Sequence, residues 1–468
     1  MKKKLIIIGA GPGGYTAAFH AADHGLDVTL IDQDARMGGV CLNRGCIPSK
    51  TFLHIARIIS ETKTVKEIGV AFGEPLIDIK RIQDYKNNVV SKLTHGLSML
   101  AKQRGVTWIQ GRASFLSSDL LAVFKTGGGH EEIPFETAVL ATGSMPVGLP
   151  FAPASDKIWS STDALDLPML PERLLIIGGG YIGMELATVY GALGSRITIV
   201  EMTPALLPGV DHDLSMILLK HARTLFSSIK LSTRVIAINE NNAGLQVTFE
   251  SKDGGRADET FDRVLVAAGR KNIFDGLGLV NTSVKLTGDG KFIAVDQKRM
   301  TTDKKIYAIG DITSGPMLAH KASAEAKVAV DAILGKETSF QPKAIPGVVF
   351  TDPEIAWCGL TETDVKEKNI PAIISKFPWA ASGRALTIER PEGITKIIAD
   401  PDSHKVLGVG IAGAGAGELI AEAVTAVEKE LRAEDLASSI HPHPTLSETI
   451  MEAAEGIFGQ STHIYRKK

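Results

Sequence analysis

Apolar residues occur in short runs along this 468-residue chain, and the first run opens a recognisable pattern. A strand-length apolar run at 5–8 is followed by a glycine-rich segment at 9–14 and by an alanine-rich stretch with helical spacing that ends near His24. A second apolar run at 28–31 ends at Asp32. Short apolar runs bounded by turn residues are typical of buried strands. This segment therefore predicts a strand, a turn, a helix and a second strand closed by an acid.

The same pattern occurs again in the middle of the chain. It predicts a strand at 174–177, a glycine turn at 178–183, a helix to about Leu193 and a strand at 197–200 that ends at Glu201. A repeated order of elements indicates two units with similar folds.

A further apolar run follows each unit and ends in small residues, at 139–143 and at 264–270. The duplicated order predicts an α/β fold with two Rossmann-like dinucleotide-binding domains. Pro146, Pro150 and Pro153 lie between the two units and indicate a linker.

The pattern changes in the last part of the chain. Strands are predicted at 348–350, 373–377, 394–399 and 406–411, and helices at 416–428 and 445–457. Strands followed by helices indicate an α+β domain. Together with a strand that enters a turn at 306–311, the pattern divides the chain into domains at 1–148, 149–276, 277–346 and 347–468.

Composition narrows the class of protein without identifying it. The chain has 51 Lys and Arg against 53 Asp and Glu, a net charge of −2, so it lacks the basic excess that nucleic acid or an anionic membrane would require. It shows neither a signal peptide nor an uninterrupted apolar run of transmembrane length, which predicts a cytoplasmic protein. Only three cysteines occur, which favours a reducing compartment over a disulfide-stabilised secreted fold.

The glycine turns have a chemical interpretation. A nucleotide pyrophosphate binds bare backbone amides at a helix N-terminus, and glycine permits its close approach. One G-x-G-x-x-G pattern is weak evidence, but both turns here lie between a strand and a helix, with an acid a little over ~20 residues further on. Two fingerprints indicate two dinucleotides.

The acids that close the two units predict how each nucleotide is selected. Asp32 and Glu201 should accept hydrogen bonds from adenosine ribose hydroxyls. Residues 202–207 contain no arginine that could hold a 2′-phosphate, so the second site should prefer NAD over NADP. Arg196, five residues before Glu201, is the nearby cation that could weaken this preference.

Cys41 and Cys46 lie in a segment rich in glycine just after the first unit. Buried thiols in a helix are the commonest alternative. On a regular helix this spacing would separate the Cα atoms by more than the 4.4–6.8 Å that a disulfide usually spans, but Gly45 and Pro48 could distort the turn. Zinc is disfavoured because no second cysteine pair or paired histidine would complete a tetrahedral site, so no metal is expected. A redox pair is the favoured interpretation, and Cys358 is predicted to be a buried apolar residue.

The segment from Gly39-Val40-Cys41 to Cys46-Ile47-Pro48-Ser49-Lys50 resembles the active-site signature of the pyridine nucleotide–disulfide oxidoreductases, in the form typical of the dihydrolipoamide dehydrogenases. The resemblance covers essentially the whole chain. It includes both fingerprints, Ala141-Thr142-Gly143, Tyr307-Ala308-Ile309-Gly310-Asp311, His320-Lys321-Ala322 and a C-terminal histidine motif.

The resemblance implies a binding site for each of two cofactors. FAD would be held in the first domain by Gly9, Gly11, Gly14, Asp32, Lys50, Thr142 and Gly143, with Asp311 and Ala319 of the central domain. NAD would be held in the second domain by Gly178, Gly180, Gly183, Glu201 and Gly269. Cys46 would lie beside the flavin and Cys41 would exchange with substrate. Lys50 would lie by the flavin ring, paired with Glu185.

The motif His441-Pro442-His443-Pro444 near the C-terminus contains the candidate base. Histidine suits the proton transfer that thiol–disulfide exchange needs near neutral pH, and Glu448 could orient its ring. The family motif places the base at His443, so His441 would be structural. In the family this pair reaches the cysteines of the other subunit, which implies that 347–468 is a dimerisation domain in a homodimer.

By the same resemblance the chain would oxidise dihydrolipoamide carried by a lipoylated acyltransferase core or a lipoyl carrier protein, and reduce NAD. Glutathione-type reductases would have basic residues after Glu201 for NADPH, and mercuric reductase would have a vicinal cysteine pair at the C-terminus. A soluble transhydrogenase would lack the pair Cys41 and Cys46. A different class of function would be a binding subunit that anchors to an acyltransferase core and catalyses little. Loss of Cys41, Cys46 or His443 would have indicated such a subunit, and all three residues are present.

Overall fold

A computed structural model describes residues 3–465. Its strands are β1 (Lys4–Ile8), β2 (Asp27–Asp32), β3 (Thr107–Ser117), β4 (Leu120–Lys125), β5 (His130–Pro134), β6 (Thr137–Leu140), β7 (Ser144–Pro146), β8 (Ile158–Trp159), β9 (Arg173–Ile177), β10 (Arg196–Val200), β11 (Ser228–Lys230), β12 (Thr233–Asn241), β13 (Gly244–Ser251), β14 (Arg256–Phe261), β15 (Arg263–Val266), β16 (Arg270–Asn272), β17 (Ile306–Ala308), β18 (Gly347–Val349), β19 (Glu354–Gly359), β20 (Ile373–Pro378), β21 (Ile394–Ala399) and β22 (Val406–Gly413).

Helices connect and cover these strands. They are α1 (Pro12–Asp23), α2 (Gly39–Arg44), α3 (Cys46–Thr64), α4 (Ile79–Gln103), α5 (Ser161–Asp166), α6 (Tyr181–Ala192), α7 (His212–Leu225), α8 (Ala319–Ile333), α9 (Glu362–Glu367), α10 (Gly383–Thr387), α11 (Ala416–Glu428), α12 (Ala433–Ser438) and α13 (Glu448–Glu455). Short 3-10 turns lie at Leu279–Asn281, Gly310–Ile312, Trp379–Ala381 and Gly456–Phe458. No helix among residues 3–465 is long and apolar enough to cross a membrane.

The first sheet has the order β17-β6-β1-β2-β3-β4-β5. From β17 to β3 the strands are parallel, and β3, β4 and β5 continue as an antiparallel meander. Leu5 and Ile7 of β1 are almost completely buried because β1 lies between β2 and β6 and is covered by helices. Strand β17, from the predicted central segment, completes this sheet beside β6.

The second sheet has the order β11-β10-β9-β15-β8 and is parallel throughout. Its β9–α6–β10 unit repeats the β1–α1–β2 unit of the first sheet, as the pattern of apolar runs predicts. In both sheets the glycine turn follows the carboxyl end of a central strand, β1 or β9, which is where sheets of this kind usually bind ligands. The connecting segments also pair with each other, because β7 and β16 form a two-stranded antiparallel ribbon.

The C-terminal part forms an antiparallel sheet in the order β18-β19-β22-β21-β20. All four strands predicted there are present to within two residues, and α11 has the predicted bounds 416–428. Strand β19 was not predicted, although its residues 355–358 are all apolar. The predicted helix 445–457 is shorter, because α13 begins at Glu448 and ends at Glu455.

Candidate active site

The two glycine turns are built alike. Gly9 has φ +102° and Gly178 has φ +111°, a backbone conformation that L side chains rarely adopt. A Cβ on Gly9 would lie 2.2 Å from the carbonyl oxygen of Ala141, and one on Gly178 would lie 2.5 Å from that of Ala267. Both positions therefore require glycine for two separate reasons.

The third glycine of each fingerprint lets the helix approach the strand. A Cβ on Gly14 would lie 1.7 Å from the Gly9 carbonyl oxygen, and one on Gly183 would lie 2.0 Å from that of Gly178. The middle glycines, Gly11 and Gly180, are N-caps without a side-chain capping bond. The first amides of α1 and α6 are thus not capped by their own N-cap side chains, as a pyrophosphate site requires.

The closing acids make matching hydrogen bonds. Asp32 accepts from the backbone N–H of Ala10 at 2.5 Å and of Asp34 at 2.8 Å. Glu201 accepts from the N–H of Gly179 at 2.7 Å and of Thr203 at 2.8 Å. Each carboxylate is thereby fixed against its glycine turn and keeps further lone pairs for ribose hydroxyls.

Two arginines near Glu201 are already paired. Arg196 lies at the start of β10, roughly 16 Å of extended strand away from Glu201, and its guanidinium binds Glu172. Arg234, on β12, shares a surface groove with the segment after Glu201, but its Nε donates to Glu250 at 2.7 Å. Arg234 is distant in sequence, so no local pattern indicated it. Arg196 is therefore not expected to weaken the predicted preference for NAD.

A single elongated cleft brings most of the predicted site residues together. Ten of the site residues predicted from the sequence line this cleft: Gly11, Asp32, Cys41, Cys46, Lys50, Thr142, Gly143, Glu185, Asp311 and Ala319. The cleft is open to solvent on one side and encloses about 1260 Å³ of space including its open mouth. Gly9 and Gly14 lie behind the lining, and the second fingerprint borders the cleft through Tyr181, which follows Gly180.

The two cysteines lie on consecutive helices rather than on one. Helix α2 ends at Arg44, Gly45 takes φ −144° and ψ −109°, and α3 begins at Cys46. A Cβ on Gly45 would lie 2.9 Å from the Val40 carbonyl oxygen, so glycine is required at this break. Pro48 belongs to the first turn of α3, where proline is tolerated, and does not distort the chain. The expected break is thus produced by Gly45 alone.

Both thiols are free, and they interact with each other. The Cys41 thiol donates a hydrogen bond to the Cys46 sulfur, and this bond lowers the Cys46 pKa to about 7, against the effect of burial and with the help of the Lys50 charge. The same bond, together with burial, raises the pKa of Cys41. Cys46 has accessible surface, and this surface faces the enclosed cleft. Its sulfur is therefore reachable and is the one that ionises first.

Lys50 and Glu185 form the predicted pair. Nζ of Lys50 lies 2.8 Å and 3.0 Å from the two carboxylate oxygens of Glu185, which is almost fully buried. One of these oxygens also accepts from the backbone N–H of Phe350 at 3.1 Å, and the Lys50 ammonium lies 4.5 Å from the Phe350 ring centre. Glu185 thus fixes the cation of Lys50 at the wall of the cleft, close to Cys46.

Ser144 and Arg270 also line the cleft, and the sequence analysis did not predict them as site residues. The Ser144 hydroxyl donates to the carboxylate of Asp311 and accepts from Nε of Arg270 at 2.8 Å. Arg270 also donates to the Ser144 carbonyl at 2.7 Å. All three residues line the cleft, and Ser144 is 1% exposed. The position of Arg270 directly after the Gly269 turn was the one available signal.

His443 and Glu448 are paired, but away from the cleft. Nδ1 of His443 lies 2.9 Å from a Glu448 oxygen, and 76% of the His443 side chain is exposed. Although burial raises it, hydrogen bonds from the Thr445 N–H and from His443 hold the pKa of Glu448 below its usual range. The cysteine cleft is lined by other residues of the described part of the chain, and His443 is not one of them. Neither residue of this pair therefore borders the cysteine cleft of its own chain.

The neighbouring histidine is used differently. Nε2 of His441 contacts Glu422 at 3.0 Å, Nδ1 contacts the Ser439 carbonyl at 2.9 Å, and the side chain is 7% exposed. Both nitrogens are occupied, which agrees with a structural residue. Cys358 is 1% exposed in the core of the C-terminal sheet, where burial raises its pKa to about 12, and the prediction of a buried apolar residue is confirmed.

Comparison with known proteins agrees with this geometry. The family model "Pyridine nucleotide-disulphide oxidoreductase" matches residues 3–326, and the dimerisation domain of the same family matches residues 345–454, which supports a homodimer. Curated relatives named dihydrolipoyl dehydrogenase include those of Buchnera aphidicola (44% identical, 100% of this chain and 98% of the relative) and Vibrio parahaemolyticus (43%, 100% and 98%).

Solved structures with the same fold extend the comparison. LpdA from Mycobacterium tuberculosis has a TM-score of 0.90 at 27% identity, covering 97% of this chain and 99% of that chain. The HOCl-induced flavoprotein disulfide reductase RclA from Escherichia coli, solved as a Cu(II) complex, has a TM-score of 0.86 at 28% identity with the same coverage. The predicted α/β class with a C-terminal dimerisation domain is confirmed.

Proposed function

This chain belongs to the pyridine nucleotide-disulphide oxidoreductase family, and we propose that it is a dihydrolipoamide dehydrogenase. The proposal rests on one observation above all: two hydrogen-bonded thiols, Cys41 and Cys46, lie in a cleft bordered by two dinucleotide fingerprints. The full-length relatives that carry the name dihydrolipoyl dehydrogenase select the substrate within the family. That substrate would be presented by a lipoylated acyltransferase core or a lipoyl carrier protein.

The residues present fit the two cofactors of this family, FAD and NAD. The α1 N-terminus, Asp32 and Asp311 would hold FAD along the cleft, and the α6 N-terminus with Glu201 would hold NAD beside it. The bare Gly11 and Gly180 leave room for pyrophosphates, since no atom lies within about 3.9 Å of a Cβ built on either one. When bound, FAD supplies the two-electron relay between the thiol pair and NAD.

The chain's own residues would carry out the thiol chemistry. In the oxidised form Cys41 and Cys46 share a disulfide. One substrate thiol gives its proton to His443 of the partner subunit, and the resulting thiolate attacks Sγ of Cys41. The S–S bond breaks and Cys46 leaves as a thiolate, which its low pKa and the Lys50 charge favour. The second substrate thiol then attacks the substrate sulfur of the mixed disulfide, and the oxidised lipoyl ring departs. Cys41 leaves and takes up the proton held by His443 of the partner subunit, which then accepts the proton of the second substrate thiol. Two electrons now reside on the cysteine pair.

A direct assay tests this function. The purified flavoprotein should reduce NAD with dihydrolipoamide, and should give no comparable turnover of NADPH with oxidised glutathione. His443→Gln should lower turnover by ~10²–10⁴, the usual contribution of general acid–base catalysis. His441→Gln is the matched control and should have far less effect, because its ring is held within its own chain. Glutathione turnover equal to that with dihydrolipoamide would contradict the proposed substrate.

Nucleotide choice is tested separately. Glu201 should favour NADH over NADPH, since its carboxylate repels a 2′-phosphate and the nearby Arg196 and Arg234 are paired elsewhere. Glu201→Gln should narrow the ratio of kcat/KM values for the two nucleotides. Arg196→Gln is the control and should leave the ratio unchanged. A shift with Arg196→Gln alone would mean that this arginine reaches the ribose.

A further inference from the structure

A cluster of metal-ligating side chains lies outside the cleft, where the end of α1 meets α8. His20 is in the last turn of α1 and His24 caps the helix, so the two rings lie one turn apart on the same face. Asp331 of α8 faces them, and Lys336 follows α8. Nitrogen atoms of both histidines and an oxygen of Asp331 lie within 4.8 Å of one another.

The ring of His24 is held in an orientation suited to a ligand. Its Nδ1 lies 2.8 Å from the backbone carbonyl oxygen of His20, and a carbonyl can only accept, so Nδ1 carries the proton. Nε2 lies 3.1 Å from Nζ of Lys336, and an ammonium can only donate, so Nε2 presents its lone pair. A carbonyl that fixes Nδ1–H and frees Nε2 is the usual support of a metal-binding histidine.

The cation of Lys336 already occupies the space between these ligands. Its Nζ lies 2.8 Å from Oδ1 of Asp331 as well as 3.1 Å from Nε2 of His24. The same Oδ1 lies 3.0 Å from Nε2 of His20. The cluster therefore binds a positive charge in its resting arrangement.

We propose that His20, His24 and Asp331 form a binding site for a divalent transition-metal ion, of which Zn²⁺ is the representative. Two imidazoles one helical turn apart with one carboxylate suit a borderline-soft ion, whereas Mg²⁺ and Ca²⁺ prefer oxygen ligands. Binding displaces the Lys336 ammonium, and the His20 ring carries its proton on Nδ1 so that Nε2 can coordinate the ion. Water completes the coordination. Cu²⁺ should bind more tightly than Zn²⁺, as the general affinity order requires.

Such an ion would join two helices that lead to the cleft. Pro12 at the start of α1 and Ala319 at the start of α8 both line it. The helices already touch through Thr16 and Ser323, whose hydroxyl oxygens are 3.3 Å apart. An ion bound at their far ends would restrain their relative movement and raise the thermal stability of the holoenzyme. This site does not depend on the proposed function.

Zn²⁺ titration of tag-free holoenzyme tests the site, with Cys41 and Cys46 alkylated so that their thiols cannot bind the ion. Calorimetry should find one Zn²⁺ per chain at this cluster. His20→Gln, His24→Gln and Asp331→Asn should each weaken that binding at least ~10-fold. His130→Gln is the control, since His130 is an exposed histidine of β5 that stacks on Phe124, and it should leave binding unchanged.

Lys336→Met provides the sharpest test because it should act in the opposite direction. Removing the competing ammonium should tighten Zn²⁺ binding by ~2–10-fold, the range expected for loss of exposed ion pairs and of a nearby positive charge. Zn²⁺, but not Mg²⁺, should raise the melting temperature of the unmodified protein. The proposal would be overturned if Zn²⁺ failed to bind, if His24→Gln bound it as well as the unmodified protein, or if Lys336→Met bound it more weakly.

Discussion

At the scale of single residues, the opposite behaviour of Cys41 and Cys46 follows from one hydrogen bond. The bond from Cys41 stabilises the ionised form of Cys46, so the two pKa values move apart. Lys50 strengthens the effect on Cys46 because its ammonium is fixed by Glu185. Both side chains are thiols, so the surrounding residues decide which of the two leaves more easily as a thiolate.

Replacing Cys41 tests this assignment. The hydrogen bond from Cys41 lowers the Cys46 pKa to about 7, below the ordinary thiol value. Cys41→Ala removes the donated hydrogen bond, so the Cys46 pKa should rise towards the ordinary thiol value. The pH dependence of Cys46 alkylation by iodoacetamide would measure the change, and the buried Cys358 should not react. An unchanged midpoint would show that Lys50 alone sets the Cys46 pKa.

Ser144 is the second residue whose role depends on its contacts. Its hydroxyl joins the carboxylate of Asp311 to the guanidinium of Arg270 in a buried position. Ser144→Ala would leave both groups without this partner, at a cost of about 1–3 kcal/mol. We expect weaker FAD retention, measured as the dissociation constant of the flavin.

The matched control for this change is Ser118→Ala. Ser118 makes a comparable hydrogen bond to Asp303, which does not line the cleft. This substitution should lower the melting temperature without changing FAD affinity. Equal effects of Ser144→Ala and Ser118→Ala on flavin binding would mean that Ser144 only stabilises the fold.

At the scale of elements, the nucleotide sites depend on how closely a helix can approach the end of a strand. In both units the backbone of the helix start touches the first glycine of the turn, and a single methyl group would separate them. The helix dipole and its free amides can act on a pyrophosphate only when this contact is made. The close packing of helix against strand at these glycines is therefore also what allows the helix N-terminus to bind a pyrophosphate.

Alanine substitutions in the two glycine turns test whether each unit binds its own nucleotide. Gly14→Ala should force α1 away from β1 and lower the flavin content, since its Cβ would lie 1.7 Å from the Gly9 oxygen. Gly183→Ala should retain flavin and lose affinity for NADH, measured by equilibrium binding. Gly96→Ala in α4 is the control: a Cβ there has open space, and helix propensity favours alanine by about 1 kcal/mol. Loss of flavin from Gly183→Ala would contradict separate nucleotide sites.

At the scale of the whole molecule, the cysteine cleft and the candidate base lie apart within one chain. Ring nitrogen Nε2 of His443 points away from its Glu448 partner, and most of the side chain is exposed. The dimerisation domain that contains it offers a route to the cleft of a second copy. A complete site would then need two chains.

Hybrid dimers test that arrangement. Inactive Cys46→Ser and inactive His443→Gln subunits, mixed in equal amounts and allowed to exchange, should form mixed dimers with one intact site each. Half of the dimers would be mixed, so activity should recover to about a quarter of the unmodified level. Subunit exchange would be verified by mass-labelled chains. If exchange occurred and activity stayed absent, cysteines and histidine would have to act within one chain.

Local signals in the sequence determined the two strand–turn–helix units, the nucleotide acids and the redox cysteines. Each signal lies within a short segment, and the physical requirement is equally local: glycine where φ is positive, an acid at a strand end, a helix broken at Gly45. The C-terminal helix α11 and four of the five strands of its sheet were also predicted, because apolar residues predominate in the strands and recur at helical spacing in α11. The four domain boundaries and the catalytic roles of the individual residues stay predictions.

Tertiary structure alone decided which of these residues meet. The pairing of Arg196 with Glu172, the bridge from Arg270 through Ser144 to Asp311, and strand β19 depend on contacts between distant segments. No local pattern records such contacts, because a side chain's hydrogen-bonding partners are set by the packing of whole elements. The same reason separates His443 from the cleft and brings His20, His24 and Asp331 together.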